Sequence, residues 1–306
     1  DLGYDVLLSN RIFDSLLFWK YDILFSYFHR YSFFAALLAK CFGKKTYFTG
    51  GIDSLDSDYA SAFNYKIQAL FFKLCYWVAD SCIIVSQSDL KNIFKVSSLK
   101  KKLSYSEHVI NTKLFIADVP KEKIFTSIVW MGDEGNVVRK GVDKALQIFA
   151  ELKKIPEFVD YRFVIIGRKG EGEVLVRSII DKYNLKGSVE LKGEVSEEDK
   201  INLLKQSKYY FQLSLYEGFG LAALEALCAS NILIHSGKGG LANPIYKEQL
   251  LFDIDNDFDS ELLKLVNKLA CFTPITSYDN LLEYYDIQRR EDDFEAIIVN
   301  GKSNYK

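Results

Sequence analysis

Short runs of β-branched and aromatic residues alternate with longer segments of helical period along the whole chain, the pattern of parallel sheets wrapped by helices. In the first half, Tyr4–Asn10, Asp22–Phe28, Lys45–Gly50 and Ser81–Gln87 read as strands, with helical stretches such as Ser32–Phe42 and Tyr59–Ala79 between them. The second half repeats the pattern more cleanly. Its strands read Ser127–Gly132, Tyr161–Gly167, Ser188–Gly193, Tyr209–Leu215, Asn231–Gly237 and Leu250–Asp255, and Gly141–Lys154 and Glu171–Tyr183 read as helices. Ser196 followed by Glu197, Glu198 and Asp199 opens another helix with a capping-box pattern. The polar, proline-containing stretch Ala117–Phe125 suits a linker, and 276–300 forms a last helical segment.

These divisions predict an α/β protein of two Rossmann-like domains, 1–120 and 121–275, followed by a helical segment over 276–306 that can cross back to the first domain. The opening DLGYDVLLSN runs straight into a strand with no preceding βα unit. An open sheet of this type normally begins earlier, so the first domain is expected to lack its first βα unit.

Composition supports the division. A chain of 306 residues is long enough for two cores, and 49% apolar with 26% charged residues and four prolines is the make-up of ordered structure rather than linker. A net charge of −2 gives no electrostatic footprint for nucleic acid. The five cysteines are widely spaced with no C-x-x-C, which fits a reducing cytoplasm better than a disulfide framework or a zinc site. No uncharged apolar run approaches the roughly 18–20 residues that span a bilayer. Residues 28–45, FHRYSFFAALLAKCFGKK, set an apolar stretch between Arg30 and Lys40, Lys44 and Lys45. The segment reads as a core helix whose basic edges also suit peripheral contact with a membrane surface. The run Lys100-Lys101-Lys102 reads as a solvated loop, with a surface-binding role as the sharper alternative.

The chemistry gathers in YYFQLSLYEGFGLAALEALCAS, residues 209–230, where a strand meets a Glu-Gly-Phe-Gly turn and then an apolar helix. Backbone N–H groups near Phe219, Gly220 and Leu221 would be unpaired at that helix start, and the helix dipole adds about half a positive charge there. Ligands of open α/β sheets bind at this edge. Glu225 stands in an apolar helix and needs a hydrogen-bonding partner; it lies one turn along from Leu221, while Glu217 precedes the turn. The two acids bracket one pocket with acceptors for sugar hydroxyls around a phosphate-friendly helix end. Pairing of Glu225 with a nearby lysine is the plainer alternative.

Glu217 to Glu225, EGFGLAALE, resembles the E-x7-E motif of the GT4-type retaining glycosyltransferases, glycosyl transferases group 1. IVWMGDEGNVVRKGVDKALQIFAEL, FVIIGRKGEGE and VELKGEVSEEDKINLLKQSKYYFQLSL resemble that family's donor domain, and the likeness continues more weakly through the first half. The resemblance implies a GT-B fold, two doubly wound domains facing a cleft, and hexose transfer from a nucleotide-diphosphate sugar with retention of configuration. It implies Glu217 on donor-sugar hydroxyls, the amides of Phe219, Gly220 and Leu221 near sugar and diphosphate, Glu225 on the ribose, and Lys140 on the diphosphate. Glu217 and Lys140 are thus the catalytic candidates, with no metal required. The implied acceptor is a glycan or lipid-linked intermediate of bacterial surface polysaccharide synthesis, at the cytoplasmic face of the membrane.

Two positions depart from the family pattern. Gly132-Asp133 stands where Gly-Arg is usual, with Arg139 a candidate replacement for the missing cation, and Gly50-Gly51-Ile52-Asp53 stands where a histidine is common. A catalytically impaired sugar-nucleotide-binding or scaffold protein on the same fold is the alternative that these departures suggest. Other chemistries are weaker. Asp253-Ile254-Asp255-Asn256-Asp257 lacks the glycine and closing acid of a calcium loop and reads as a strand end with a polar turn. The glycines of Gly167-Arg168-Lys169-Gly170-Glu171-Gly172 are in the wrong order for a dinucleotide fingerprint, and His235 reads as a strand-end residue.

Overall fold

Apolar strands with apolar residues on both sides need cover on both faces, which parallel sheets with crossover helices provide. The computed structural model, which describes residues 5–6, 14, 17–27, 29–50, 55–57, 60–97, 100–116, 119–272 and 279–301, contains two such sheets. They belong to two units: Asp1–Val109 with Ile287–Lys306, and Ile110–Asp286.

The first unit runs β1 (Ile23–Tyr27), α1 (His29–Cys41), β2 (Lys45–Thr49), α2 (Ala62–Val78), β3 (Ser81–Ile84), α3 (Gln87–Val96) and β4 (Leu103–Tyr105), with its strands parallel in the order β1-β2-β3-β4. Side chains alternate across a strand. Phe48, Cys82, Ile84 and Leu103 accordingly face Ala36 of α1, Phe72 and Cys75 of α2 and Ile93 of α3, while Tyr47 and Ile83 face Ile297 and Ile298 near the end of the chain. Ser61 and Ser86 cap α2 and α3, their hydroxyls accepting from the amides of Asn64 and Asp89. The expected strand Tyr4–Asn10 and the residue Asp53 lie outside the described residues, apart from positions 5 and 6.

The second unit begins with β5 (Glu122–Ile128), α4 (Glu134–Arg139), α5 (Val142–Leu152), β6 (Arg162–Ile166), α6 (Glu173–Lys182) and β7 (Val189–Gly193). It continues with α7 (Glu197–Gln206), β8 (Ser207–Gln212), α8 (Leu221–Cys228), β9 (Ile232–His235), β10 (Leu250–Leu251), α9 (Phe258–Cys271) and α10 (Asp279–Tyr284). Then α11 (Ile287–Phe294) and a π-helical turn over Glu295–Val299 return to the first unit. The chain's entry to and exit from the second unit are bonded to each other, with the Ile110 amide donating to the Tyr285 carbonyl at 3.0 Å.

All six strands of this second sheet are parallel, in the order β10-β9-β8-β5-β6-β7. One face sets Phe125, Phe163, Tyr209 and Phe211 against α5, α6 and α9, with the Phe125 ring stacked on Tyr209 at 4.6 Å and Phe211 at 5.1 Å. The opposite face carries Ile124, Val164, Tyr210 and Leu233 beneath α7 and α8. The chain starts in the middle at β5, builds outward to β7, then returns to the other side of β5 at β8. That reversal leaves a crevice beyond the carboxyl ends of β5 and β8, the switch point at which sheets of this order bind ligands.

The expected linker Ala117–Phe125 is corrected by this arrangement, since the central strand starts inside it and Ile124 and Phe125 are core residues. The polarity of Lys121-Glu122-Lys123 misleads because these residues sit at the strand's rim. Lys121 donates to the Ala229 carbonyl, and Lys123 pairs with Asp160 at 2.9 Å.

Candidate functional site

Lys140 and Glu217 meet at the switch point, although 77 residues separate them in sequence. The Lys140 ammonium donates to Glu217 Oε2 at 2.7 Å, and the two side chains keep 21% and 15% of their surface exposed, so the pair is sheltered yet reachable. Three features of the loop bring them together. The Leu215 amide donates to the Arg139 carbonyl at 2.8 Å, tying the end of α4 to the chain leaving β8. Gly141 follows with φ +68°, a left-handed conformation, and a β-carbon there would overlap the Leu213 carbonyl. Glu217 is held in turn from below, its Oε2 accepting from Gln212 Nε2 and Ser214 Oγ at 3.1 Å each.

Gln212 is itself fixed. Its Nε2 also donates to Ser214 Oγ at 2.8 Å, and its Oε1 accepts from the Tyr210 hydroxyl, which accepts from the Ile128 amide at 3.2 Å. Tyr210, Gln212 and Ser214 therefore form a buried polar ladder on one face of β8 and its extension, ending at Glu217. The sequence reading did not single these residues out, though their period-two spacing within an apolar strand is the signal that marks them.

The Glu-Gly-Phe-Gly turn sits against the loop after β9. Gly240 donates its amide to the Glu217 carbonyl at 2.5 Å, and a β-carbon on Gly240 would lie 2.5 Å from Phe219 Cα, so the two loops can pack only without a side chain there. Gly220, left-handed at φ 91°, starts α8 with no side-chain cap. The first-turn amides of α8 thus lack intrahelical partners, and Leu221 is 41% exposed while the Phe219 side chain is buried. A cation, a carboxylate and an uncapped helix start at one sheet edge can hold an anion together with hydroxyl groups.

Glu225 has its partner on another element, since Lys200 of α7 donates to it at 2.8 Å and also pairs with Glu197 at 2.7 Å. Burial raises the Glu225 pKa, and Lys200 offsets part of that rise; burial pulls Lys200 down, but its hydrogen bonds to Glu197 and Glu225 leave it raised overall. Tyr210 lies between the two clusters, its hydroxyl pKa raised by burial first and by the charges of Glu225 and Glu217 in addition.

Arg139 donates through Nε and Nη2 to Asn136 Oδ1, at 3.1 and 2.6 Å. Asp133, the departure noted in the sequence, is the N-cap of α4, its carboxylate accepting from the Asn136 amide at 2.6 Å. The acids of 253–257 are likewise occupied locally. Asp257 caps α9, Asp253 accepts from Asp255 and Asn256, and Asp255 pairs with Lys238. His235 is buried at the end of β9, where desolvation pushes its pKa down to about 4.

The fold of this chain is shared with solved glycosyltransferase structures. Sucrose-phosphate synthase from Thermosynechococcus elongatus superposes with a TM-score of 0.68 at 20% identity, over 92% of this chain and 72% of that one. Anabaena HepE in complex with UDP-glucose gives 0.72 at 13% identity, over 94% and 80%. Two parallel sheets with this topology define a GT-B-fold protein. Residues 135–269, which lie wholly within the second unit, match the family described as glycosyl transferases group 1.

Among curated relatives, the GDP-mannose:cellobiosyl-diphosphopolyprenol alpha-mannosyltransferase of Xanthomonas oryzae pv. oryzae is 32% identical over 46% of this chain and 40% of its own length. A human phosphatidylinositol N-acetylglucosaminyltransferase subunit is 25% identical over 78% of this chain and 49% of its own length. The chain thus spans less than half the length of each of these two relatives.

Proposed function

We propose that the chain acts in a retaining hexosyltransferase that moves a sugar from a nucleotide-diphosphate sugar to a glycan or lipid-linked acceptor, in surface polysaccharide synthesis at the cytoplasmic face of a membrane. The observation that carries the reading is the Lys140–Glu217 pair at the β5/β8 switch point beside the uncapped start of α8.

In this reading the donor diphosphate takes the Lys140 ammonium and the α8 amides, and Glu217 accepts hydrogen bonds from sugar hydroxyls. Breaking the bond from the anomeric carbon to the diphosphate oxygen leaves negative charge on the phosphate, which the preorganised cation and helix end stabilise. The acceptor hydroxyl adds from the face the diphosphate leaves, and its proton passes to the departing phosphate oxygen, which retains the configuration. Glu225, oriented by Lys200, is available to the ribose, and Arg139 lies at the end of α4 beside Lys140. No divalent ion enters this scheme, and turnover is expected to survive a chelator. The relatives' names support a hexose-type donor and a lipid-borne acceptor, since one names GDP-mannose with a diphosphopolyprenol and the other phosphatidylinositol.

The test is transfer or hydrolysis measured over a set of nucleotide-sugars. Lys140→Ala and Glu217→Ala are each expected to lower turnover by about 100-fold or more. A second reading, a sugar-nucleotide-binding protein without turnover, draws on Asp133 at the usual arginine position. Donor binding without transfer or hydrolysis on any acceptor preparation would favour it, and absence of donor binding would refute both.

A further inference from the structure

Residues at alternating steps of three and four share one face of a helix. On α2 the outward members of such a series are Phe63, Lys66, Leu70, Lys73 and Trp77, and all five are exposed. Phe63 and Trp77 leave 72% and 71% of their surface in water, whereas Phe72, Cys75 and Tyr76 on the inward side are buried. A face about 21 Å long thus alternates large apolar groups with lysines. Exposed apolar side chains of this size in one contiguous row mark an interaction surface rather than ordinary scatter.

Lysines outnumber acids around this row, with Asp80, just past the end of α2, paired to Lys40 at 2.6 Å. Neither α1 nor α2, which pack together, contains an aspartate or glutamate. At the far end of the row the Lys102 ammonium donates to the Trp77 carbonyl at 2.9 Å. Lys45, Lys101 and Lys102 line, together with the single acid Asp80, a cavity of about 220 Å³ beside the starts of β2, β3 and β4. This basic surface belongs to a chain whose net charge is −2.

We infer that the outward face of α2 docks on an anionic phospholipid surface, lying in the plane of the interface. Phe63, Leu70 and Trp77 enter the boundary between headgroups and acyl chains, while Lys66, Lys73 and the lysine cluster beyond Trp77 meet lipid phosphates. The segment 28–45 contributes less than its composition suggests, because Phe33, Ala35, Ala36 and Ala39 of α1 are spent in the core and Phe34 and Phe42 remain outside. A second copy of the chain is a poor occupant, since an isologous pairing of this face would bring Lys66 and Lys73 against like charges. The inference deepens the proposed membrane contact and takes its purpose from that reading, but its test is independent of the donor site.

The chain is sedimented with vesicles of phosphatidylcholine alone and of phosphatidylcholine mixed in equal parts with phosphatidylglycerol, and nucleoside diphosphate binding is measured in parallel. Binding is expected to be at least about tenfold tighter to the anionic vesicles. The doubly substituted Lys66→Glu/Lys73→Glu and Phe63→Ser/Trp77→Ser proteins are each expected to lose most of that binding and to keep nucleotide affinity unchanged. Equal binding to both vesicle types, or anionic binding retained by both variants, overturns the docking face and leaves the donor reading standing. Self-association that both variants abolish, without any vesicle binding, overturns it in favour of a second copy. Vesicle binding that behaves as expected in a chain that takes no nucleotide supports the docking face and sinks the donor reading alone.

Discussion

The sheet of the second unit reverses its strand order between β5 and β8, whereas the described sheet of the first unit runs from β1 to β4 without a reversal. Polar chemistry follows that difference. In the second unit Lys140, Gln212, Ser214 and Glu217 converge beyond the carboxyl ends of the two strands where the order turns. The first unit carries its distinctive chemistry on the outside, where Trp19, Phe34, Phe42, Phe63 and Trp77 are exposed, against Trp130 and Tyr284 as the exposed aromatic residues among the described part of the second. One parallel sheet gathers buried polar groups at an edge, and the other leaves aromatic groups exposed on the elements that cover it.

A large effect expected to sharpen this contrast is on stability at low pH. Burial, with Arg290 adding to it, pushes His108 of the first unit down to about 4, and burial alone does the same to His235 of the second. Each histidine is neutral in the folded state, while the unfolded state takes up a proton near its ordinary value of about 6.5. The contribution of each is therefore complete above about pH 6.5 and is lost as the pH falls towards 4, by up to about 3 kcal/mol per residue. Chemical denaturation followed between pH 7 and 4 checks this. His235→Gln is expected to flatten the dependence of the second unit and leave that of the first unchanged; an unaltered profile in the variant would remove His235 from the account.

An effect of similar size separates glycines that serve packing from those that serve a turn. Gly240→Val drives a side chain into the Phe219 backbone and is expected to cost about 2–4 kcal/mol and to weaken nucleotide binding. Gly43→Ala in the first unit meets nothing within 4 Å and costs only its left-handed conformation at φ +72°, about 1–2 kcal/mol. Melting curves of the two variants decide the order, and equal losses would mean that the β9 loop does not buttress the Glu-Gly-Phe-Gly turn.

Much of the fold was legible because the strands β2, β3, β6, β8 and β9 are β-rich runs bounded by glycine or charge, close to where the structure has them. The start of β5 was not, because Lys121, Glu122 and Lys123 look like a linker until Asp160 and Arg162 are seen beside them. Strand β4 is three residues long, Leu103–Tyr105, and follows a run of lysines, so no periodicity could mark it. In the site, Glu217 and Lys140 were named from motifs, but their pairing depends on a strand reversal that no local pattern encodes. The partner of Glu225 was hidden for the same reason, since Lys200 comes from a different helix. Asp133 looked like a defect in the sequence and proves to be a helix cap, a role visible only once α4 exists.

In the proposed donor site a nucleotide's diphosphate is held at the β5/β8 switch point by Lys140. Isothermal titration of UDP and of GDP into the wild-type chain, Lys140→Ala and Lys45→Ala tests it most directly. At least one nucleotide is expected to bind the wild-type chain, with Lys140→Ala weakening it by about tenfold or more and Lys45→Ala, in the first unit, leaving the affinity unchanged. Equal affinity in wild-type and Lys140→Ala chains, or no binding of either nucleotide to the wild-type chain, would contradict it.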